Sequence, residues 1–160
     1  MYQQRVTSER PKDLRAAEKK TERLLAVRER SAGELRQRLL RDGFASDITD
    51  TIIERLVITG LVDDERFCRL YIQGKRRQGW GMRRIADQLK TLSVNIDDYP
   101  DLFTLYDEGD ELRRATIALA GYRGRAKDAY AGRYRYLAAK GYASDIIKQA
   151  LRNWVRDSIG

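Results

Sequence analysis

Runs of carboxylates are the first residues in this sequence whose types and spacing could do chemistry. They are Asp63-Asp64-Glu65 and the group Asp97, Asp98 and Asp101, and such oxygens could bind the divalent cations that nucleases use. Consecutive carboxylates on a helix point in different directions, so another element would have to complete a metal site. As helix caps they need no ligand. We therefore keep a metal-dependent nuclease only as a remote alternative, and we predict no catalytic residue, metal site or cofactor.

Basic side chains interleaved with aromatic residues suggest a different chemistry. The stretch from Tyr122 to Tyr136 mixes arginine, lysine and tyrosine. Such surfaces suit single-stranded nucleic acid, because aromatic faces stack on bases while guanidinium groups hold phosphates. Tyr130 and Tyr136 are also placed to pack inside a helical bundle beside Leu137. The pattern therefore favours nucleic-acid binding without requiring that each tyrosine take part.

Composition excludes much enzyme chemistry. The sequence has no histidine, so the usual metal sites and histidine-dependent nucleophilic triads are absent, and its single cysteine, Cys68, cannot form an internal disulfide. Residues 1–13 are polar and lack the apolar core of a signal peptide, and no stretch approaches the apolar length needed to cross a bilayer. We expect a soluble cytoplasmic protein with no membrane partner and no enzymatic activity.

The charge distribution favours an anionic partner. The net charge is +8 and the pI is near 9.7. Helical proteins also carry charge simply to stay solvated, but here the sign alternates with the period of a repeat. In a stack of repeats, the basic segments would line up as an interrupted positive stripe. The blocks are 5–41 (+6), 42–68 (−5), 69–90 (+6), 91–111 (−7) and 113–140 (+7).

A repeated hexapeptide indicates which elements position these side chains. Gly43-Phe44-Ala45-Ser46-Asp47-Ile48 returns as Gly141-Tyr142-Ala143-Ser144-Asp145-Ile146, and a degraded copy around Leu89, Ser93 and Val94 lies halfway between them. At each full copy we expect glycine to end one helix, the aromatic residue to enter the core and serine to cap the next helix. The hexapeptide is therefore a structural corner and sets the repeat period.

The sequence predicts an all-α fold of three tandem three-helix repeats. Strand-type alternation is missing, and glycine and proline fall between helical segments. Stacked repeats contact only their neighbours, which predicts an elongated array. The predicted organisation is a flexible N-terminal tail over residues 1–13, followed by repeats over 14–59, 60–108 and 109–160.

In the first repeat, the first helix is predicted from about Leu14 to Glu29, with Leu14, Ala17, Thr21 and Leu24 on its inner face. Ser31 and Glu34 form a capping box at the start of the second helix, which turns Leu35, Leu39 and Leu40 inward. Ser46 is predicted to cap the third helix, where Ile48, Ile52, Ile53 and Leu56 face inward.

The second repeat carries the densest basic segment. Asp63 or Asp64 is predicted to cap its first helix. The inner face of this helix is predicted to hold Phe67, Leu70, Tyr71 and Gly74. The opposite face is predicted to project Arg69, Gln73 and Arg76 outward, with Lys75 and Arg77 on the flanks. After the Gly79-Trp80-Gly81 break, Arg83 and Arg84 occupy the first turn of the next helix. Positive charge is unfavourable there, which favours a functional reason for it.

Together these motifs resemble those of the RecX family, regulators of the bacterial recombinase RecA. The resemblance covers about residues 14–157. Two positions depart from the family pattern, since Met82 stands where the family usually has proline and Ser93 where it has glycine. The matching segments are Leu61-Val62-Asp63-Asp64-Glu65-Arg66-Phe67, Lys75-Arg76-Arg77-Gln78-Gly79-Trp80-Gly81 leading into Arg83-Arg84-Ile85 and Gln88-Leu89, and Leu137 with Gly141-Tyr142.

Resemblance to that family implies a curved array that binds in the groove of the RecA filament on single-stranded DNA. It implies inhibition of filament extension, strand exchange, ATP hydrolysis and coprotease activity, and hence modulation of DNA recombination, DNA repair and the SOS response. The implied partners are the RecA filament and single-stranded DNA, with nonspecific binding to duplex DNA left open. We expect little DNA sequence preference and a monomer when the chain is free.

The candidate contacts to DNA or to the filament are basic residues of the second and third repeats. Which of them contact DNA and which contact RecA stays open, as does the choice between capping filament ends and lodging in the groove. A sequence-nonspecific nucleic-acid-binding repeat protein without a recombinase partner is the main alternative. The candidates are Arg69, Lys75, Arg76, Arg77, Arg83, Arg84, Arg123, Arg125, Lys127, Arg133 and Arg135.

Overall fold

Helices form all the regular structure of the described part of the chain. The computed structural model describes residues 6–105, 108–124 and 129–159. Two short 3₁₀ segments, Ile96–Asp98 and Pro100–Leu105, lie between α5 and α6. The helices are α1 (Val6–Val27), α2 (Ala32–Arg41), α3 (Ser46–Ile58), α4 (Asp64–Arg77), α5 (Met82–Thr91), α6 (Glu108–Ala120), α7 (Ala129–Lys140) and α8 (Ser144–Ile159).

The predicted all-α class is confirmed, with differences at element boundaries. Helix α1 begins at Val6 instead of Leu14. The segment after α5 forms 3₁₀ turns. The division into a tail and three repeats stays a prediction. In the described ranges, no helix is both long enough and apolar enough to cross a membrane.

Among the described residues, the first of two compact units contains residues 6–67 together with Leu92–Val94. Its core joins α1, α2 and α3 through Ala17, Leu39, Ile48 and Ile52, all of them predicted to face inward. Leu40 is an exception, since 41% of its surface is exposed.

Ser31 is the N-cap of α2, as predicted. Its hydroxyl accepts a hydrogen bond from the backbone N–H of Glu34 at 3.0 Å, while the Glu34 carboxylate accepts from Arg28 and Arg30. The prediction for Ser46 was wrong: Ala45 is the N-cap of α3 without a side-chain bond, and Ser46 is the first helical residue.

The second unit contains residues 68–91 and the chain from Asn95 onward. Leu119 of α6, Leu137 of α7 and Leu151 of α8 are buried together in its core. Tyr142 packs against them at the corner between α7 and α8. Burial raises the pKa of Tyr142 to about 12, so the hydroxyl stays protonated and donates to the carbonyl oxygen of Gly79 at 3.2 Å.

Left-handed backbone occurs at all three predicted corners. Gly43 has a φ of 91° and Gly141 a φ of 88°, while Ser93, at the degraded middle copy, has a φ of 60°. Ser93 is the one non-glycine residue with positive φ in the described ranges. Because side chains other than glycine rarely adopt this conformation, its occurrence at Ser93 confirms that the middle copy is a corner.

Helix α4 is rotated relative to its predicted phase. Cys68 and Ile72 are fully buried and Arg76 is 3% exposed, whereas Leu70, which was predicted to face inward, is 48% exposed. The inner face therefore follows residues 68, 72 and 76, spaced by about one helical turn. The prediction that Arg76 projects outward was wrong.

Candidate nucleic-acid interface

The break between α4 and α5 is fixed by backbone hydrogen bonds. Gly79, with a φ of 80°, ends α4, and the N–H of Trp80 donates to the carbonyl of Lys75 at 3.1 Å. The N–H of Gly81 donates to the carbonyl of Lys140, in α7, at 2.8 Å. With the bond from Tyr142, these contacts hold the Gly79–Gly81 segment against the α7–α8 corner.

Three cations from three helices surround this segment, and Trp80 lies among them. The guanidinium carbon of Arg84 lies 3.6 Å from the centroid of the Trp80 ring, and the Lys75 ammonium lies 4.5 Å from it. A Cβ atom at Gly79 would lie 3.5 Å from the ammonium of Lys140. Cation–π contacts of this kind restrict long basic side chains that would otherwise move freely.

The cations of this surface have no carboxylate partner within the described ranges. None of the recorded ion pairs contains Lys75, Arg77, Arg83, Arg84 or Lys140. We call these five residues the basic cluster.

The basic block of the first unit is different, because many of its cations are paired. The paired cations of residues 5–41 form the ion pairs Lys20–Asp42, Arg28–Glu34, Arg30–Glu34, Arg36–Asp50 and Arg38–Asp42. Asp42 and Asp50, which belong to the following acidic block, therefore offset part of the charge that the sequence assigned to a positive stripe.

Arg76 is buried and does not belong to the basic cluster. Its guanidinium group pairs with Asp110 and Glu111 at the start of α6. Burial opposes ionisation of Asp110, yet hydrogen bonds from Arg114, Arg113 and Arg76 hold its pKa well below the usual range. The second oxygen of Glu111 accepts from the N–H of Met82 at 3.4 Å. Glu111 thus supplies negative charge to the N-terminus of α5, where Arg83 and Arg84 are unfavourable.

Arg133 and its neighbouring tyrosines are used inside the second unit. The Arg133 guanidinium lies 3.9 Å from the Trp154 ring centroid and 5.0 Å from that of Tyr122. Tyr122 in turn contacts Tyr136, with ring centroids 5.4 Å apart. These rings pack α7 against its neighbours, which is the structural role that the sequence left open. Tyr130, by contrast, is 52% exposed, although it was predicted to pack inside.

The other candidates are Arg69, Arg123, Arg125, Lys127 and Arg135. Arg69 is half-buried. Arg123 and Arg135 are exposed, and Arg123 donates to the carbonyl of Ala120 at 2.9 Å. Arg125 and Lys127 lie outside the described residues.

Two of the carboxylates considered for metal binding accept hydrogen bonds from the backbone. Asp63 accepts from the backbone N–H of Arg66 at 2.9 Å, and Asp64 accepts from that of Ala32 at 2.8 Å. Burial raises the pKa of Asp64. Over residues 6–105, 108–124 and 129–159, no group of three or more acidic or cysteine side chains could hold a metal ion.

Trp80 and Lys140 were not among the candidate residues predicted from the sequence, although both lie beside the basic side chains of this surface. Trp80 was interpreted only as part of a helix break, although basic residues stand on both sides of it in the sequence. Lys140 directly precedes Gly141, and only the packing of α7 beside the break brings it to the cluster. No local pattern could have indicated that contact.

The described part of the chain is thus that of an all-helical protein with a basic surface whose cations lack carboxylate partners. Family models for the first and second three-helix domains of RecX match residues 19–56 and 63–94, respectively. These matches and the curated relatives support assignment to the RecX family, as the sequence motifs predicted.

Similar proteins carry the name regulatory protein RecX. The relative from Mycobacterium avium (strain 104) is 34% identical over 94 residues, which cover 58% of this chain and 54% of the relative. The relative from Acidithiobacillus ferrooxidans (strain ATCC 53993 / BNL-5-31) is 29% identical over 133 residues, covering 81% and 84%. The match thus spans about half the length of the mycobacterial relative.

Two solved structures share the fold. The crystal structure of RecX from Lactobacillus salivarius superposes with a TM-score of 0.77 at 16% identity, covering 89% of this chain and 97% of that one. A crystal structure of regulatory protein RecX gives a TM-score of 0.74 at 14% identity, covering 89% and 73%. At these identities the likeness establishes the fold alone.

Proposed function

We propose that this protein is a negative regulator of the RecA recombinase, which binds the RecA filament on single-stranded DNA. In this proposal it inhibits filament extension, strand exchange, ATP hydrolysis and coprotease activity, and so modulates DNA repair and the SOS response. Similarity to a family whose relatives are named regulatory proteins supports the regulatory role. The observation that carries DNA binding is the basic cluster, whose five cations have no described carboxylate partner.

The mechanism needs no catalysis. A preformed positive surface is steered toward the polyanionic DNA of the filament, and contacts to phosphates position the protein on the DNA backbone. Other faces of the chain would then meet the recombinase protomers. A chain bound across neighbouring protomers would hinder the addition of further protomers and the movements that accompany ATP hydrolysis.

The test is the DNA-dependent ATP hydrolysis of purified RecA, measured with and without this protein. We expect inhibition by the unmodified chain and its loss in the variant with Arg77, Arg83 and Arg84 changed to alanine. The control changes Arg28, Arg36 and Arg38 to alanine, which removes the same charge from exposed arginines that have carboxylate partners. This control should inhibit normally.

Each alternative outcome has a distinct meaning. Absence of inhibition by the unmodified chain would refute the regulatory proposal, and binding to DNA without inhibition would favour a nucleic-acid-binding protein with no recombinase partner. If both triple variants lost inhibition equally, net charge would matter and the basic cluster would not.

A further inference from the structure

A groove of about 320 Å³ lies beside the Trp80 segment, between α5 and the α7–α8 corner. This volume is at the lower end of the range for small-molecule sites, which is about 300–1,000 Å³, and it has room for a group the size of one nucleotide. Charged residues of α5 form one wall, and hydroxyl groups and small apolar residues form the other. The residues that matter are Arg83, Arg84, Asp87, Tyr134, Ala138 and Ser144.

The two walls of the groove are held together by close backbone packing. A Cβ atom at Gly81 would lie 2.4 Å from the carbonyl oxygen of Gly141, and one at Gly141 would lie 2.7 Å from the backbone nitrogen of Arg84. Arg84 also donates to the carbonyl of Ala139, on the opposite wall, at 3.1 Å. The groove is therefore preformed, which lowers the ordering cost of binding.

The groove presents charges of both signs. Arg83 and Arg84 offer cationic donors, and Asp87 offers a carboxylate one helical turn further along α5. Asp87 forms no ion pair with either arginine, nor with any other residue in the described ranges. On the other wall, the hydroxyls of Tyr134 and Ser144 lie 2.8 Å apart and hydrogen-bond to each other. A ligand that satisfies this groove must combine an anionic group with a hydrogen-bond donor.

We propose that the groove binds one nucleotide of single-stranded DNA, with the phosphate at Arg83 and Arg84 and the amino group of the base at Asp87. This proposal rests on the proposed function and assigns the groove to DNA instead of RecA. A carboxylate accepts readily from the exocyclic amino group of cytosine, and a nucleotide carries this donor together with a phosphate. The groove therefore gives a preference for amino-bearing bases, in contrast to the uniform binding expected from phosphate contacts alone.

The first experiment fills the groove without changing charge. Ala138 is exposed on α7 and lines the groove, and Ala131 is exposed on the same helix outside it. We expect Ala138→Leu to weaken binding of a labelled single-stranded oligonucleotide by about fivefold or more, the lower end of what one base contact contributes. Ala131→Leu should leave the affinity unchanged. Equal affinities for both variants would overturn the proposal.

The second experiment tests the role of Asp87. By fluorescence anisotropy, oligo-dC should bind at least about fivefold more tightly than oligo-dT, which lacks the amino group. Asp87→Ala should abolish this difference and strengthen oligo-dT binding, because a carboxylate near the phosphate is removed. Equal binding of oligo-dC and oligo-dT by the unmodified protein would overturn the assignment of Asp87.

The failure of this proposal can be distinguished from failure of the proposed function. If Ala138→Leu inhibits RecA normally and binds DNA normally, the groove is not a nucleotide site but the regulatory role stands. Displacement of DNA from the unmodified protein by an acidic peptide, but not from Ala138→Leu, would assign the groove to a protein partner and overturn the nucleotide proposal.

Discussion

Arg76 and Arg77 are neighbours in the sequence but occupy opposite environments. Arg76 is 3% exposed and pairs with two carboxylates of α6, while Arg77 is exposed at the end of α4. Removal of one partner from a buried ion pair leaves uncompensated charge and costs about 3–5 kcal/mol. We therefore expect Arg76→Ala to lower the free energy of unfolding by that amount, measured by urea denaturation.

Arg77→Ala is the matched control for this prediction. Its stability should stay within about 0.5 kcal/mol of the unmodified protein, as for surface changes generally, while its affinity for DNA falls. A stable Arg76→Ala variant with weakened DNA binding would contradict the structural role and return Arg76 to the contact surface.

The reason that sequence could not assign Arg76 is physical. From a helical pattern alone, a charged residue is assigned to the exposed face. The carboxylates that pair with Arg76 lie 34 and 35 residues later, so the helix pattern does not indicate them. Ser31 was predicted correctly because a cap is a local interaction between residues three positions apart. Local rules thus predicted local bonds, whereas the buried ion pair depends on tertiary packing.

At the scale of elements, neighbouring repeats are joined by the same kind of contact at two places. A Cβ atom at Gly33, near the start of α2, would lie 2.3 Å from that of Ser93. At the start of α5, Gly81 approaches the corner at Gly141 with similar closeness. In each case the beginning of the second helix of one predicted repeat packs directly on the next corner. The repeat period derived from the sequence therefore has a packing counterpart.

Alanine substitutions at two corner glycines test the packing of α5 on the corner, because only Gly141 is in close contact with another element. Gly43 and Gly141 both have φ near 90°, but a Cβ at Gly43 would meet no atom within 4 Å, whereas one at Gly141 would meet Arg84 at 2.1 Å. Gly43→Ala should cost only the strain of left-handed backbone, about 1–2 kcal/mol. Gly141→Ala should cost about 1–3 kcal/mol more, because the inserted methyl overpacks the corner.

Urea denaturation of the two variants measures the difference, with each variant compared with the unmodified chain. If Gly43→Ala and Gly141→Ala were equally destabilising, this would contradict the close packing of α5 on the α7–α8 corner. It would also contradict a preformed groove between these two elements.

The ends of the helices were predicted better than the faces that they bury. Gly43, Gly79 and Gly141 correctly indicated where helices end, because positive φ is a property of the residue itself. The inner face of α4 was misplaced because Leu70 and Ile72 are equally apolar, and the phase depends on which one meets a neighbouring helix. Leu70 is 48% exposed and Ile72 is fully buried.

At the scale of the whole molecule, fewer cations are available to bind a polyanion than the 32 lysines and arginines of the sequence suggest. Carboxylates pair with many cations of the first basic block, and Arg76 is withdrawn into the second unit. The block charges indicate an anionic partner, which stays a prediction. The block charges could not predict in which block the cations lack carboxylate partners. Ion pairing depends on which carboxylates folding brings close to each cation.

Salt dependence measures how many cations contact phosphates. For single-stranded DNA, the slope of the logarithm of affinity against the logarithm of salt concentration is about −0.7 per phosphate contact. Arg83→Ala should therefore make this slope less negative by about 0.7. Arg36→Ala should not change it, because Arg36 is paired with Asp50 at 2.8 Å. Equal changes in slope for the two variants would show that DNA affinity depends on total charge and not on the position of the arginine. A DNA affinity that does not change with salt concentration would exclude the basic cluster as the DNA-binding surface.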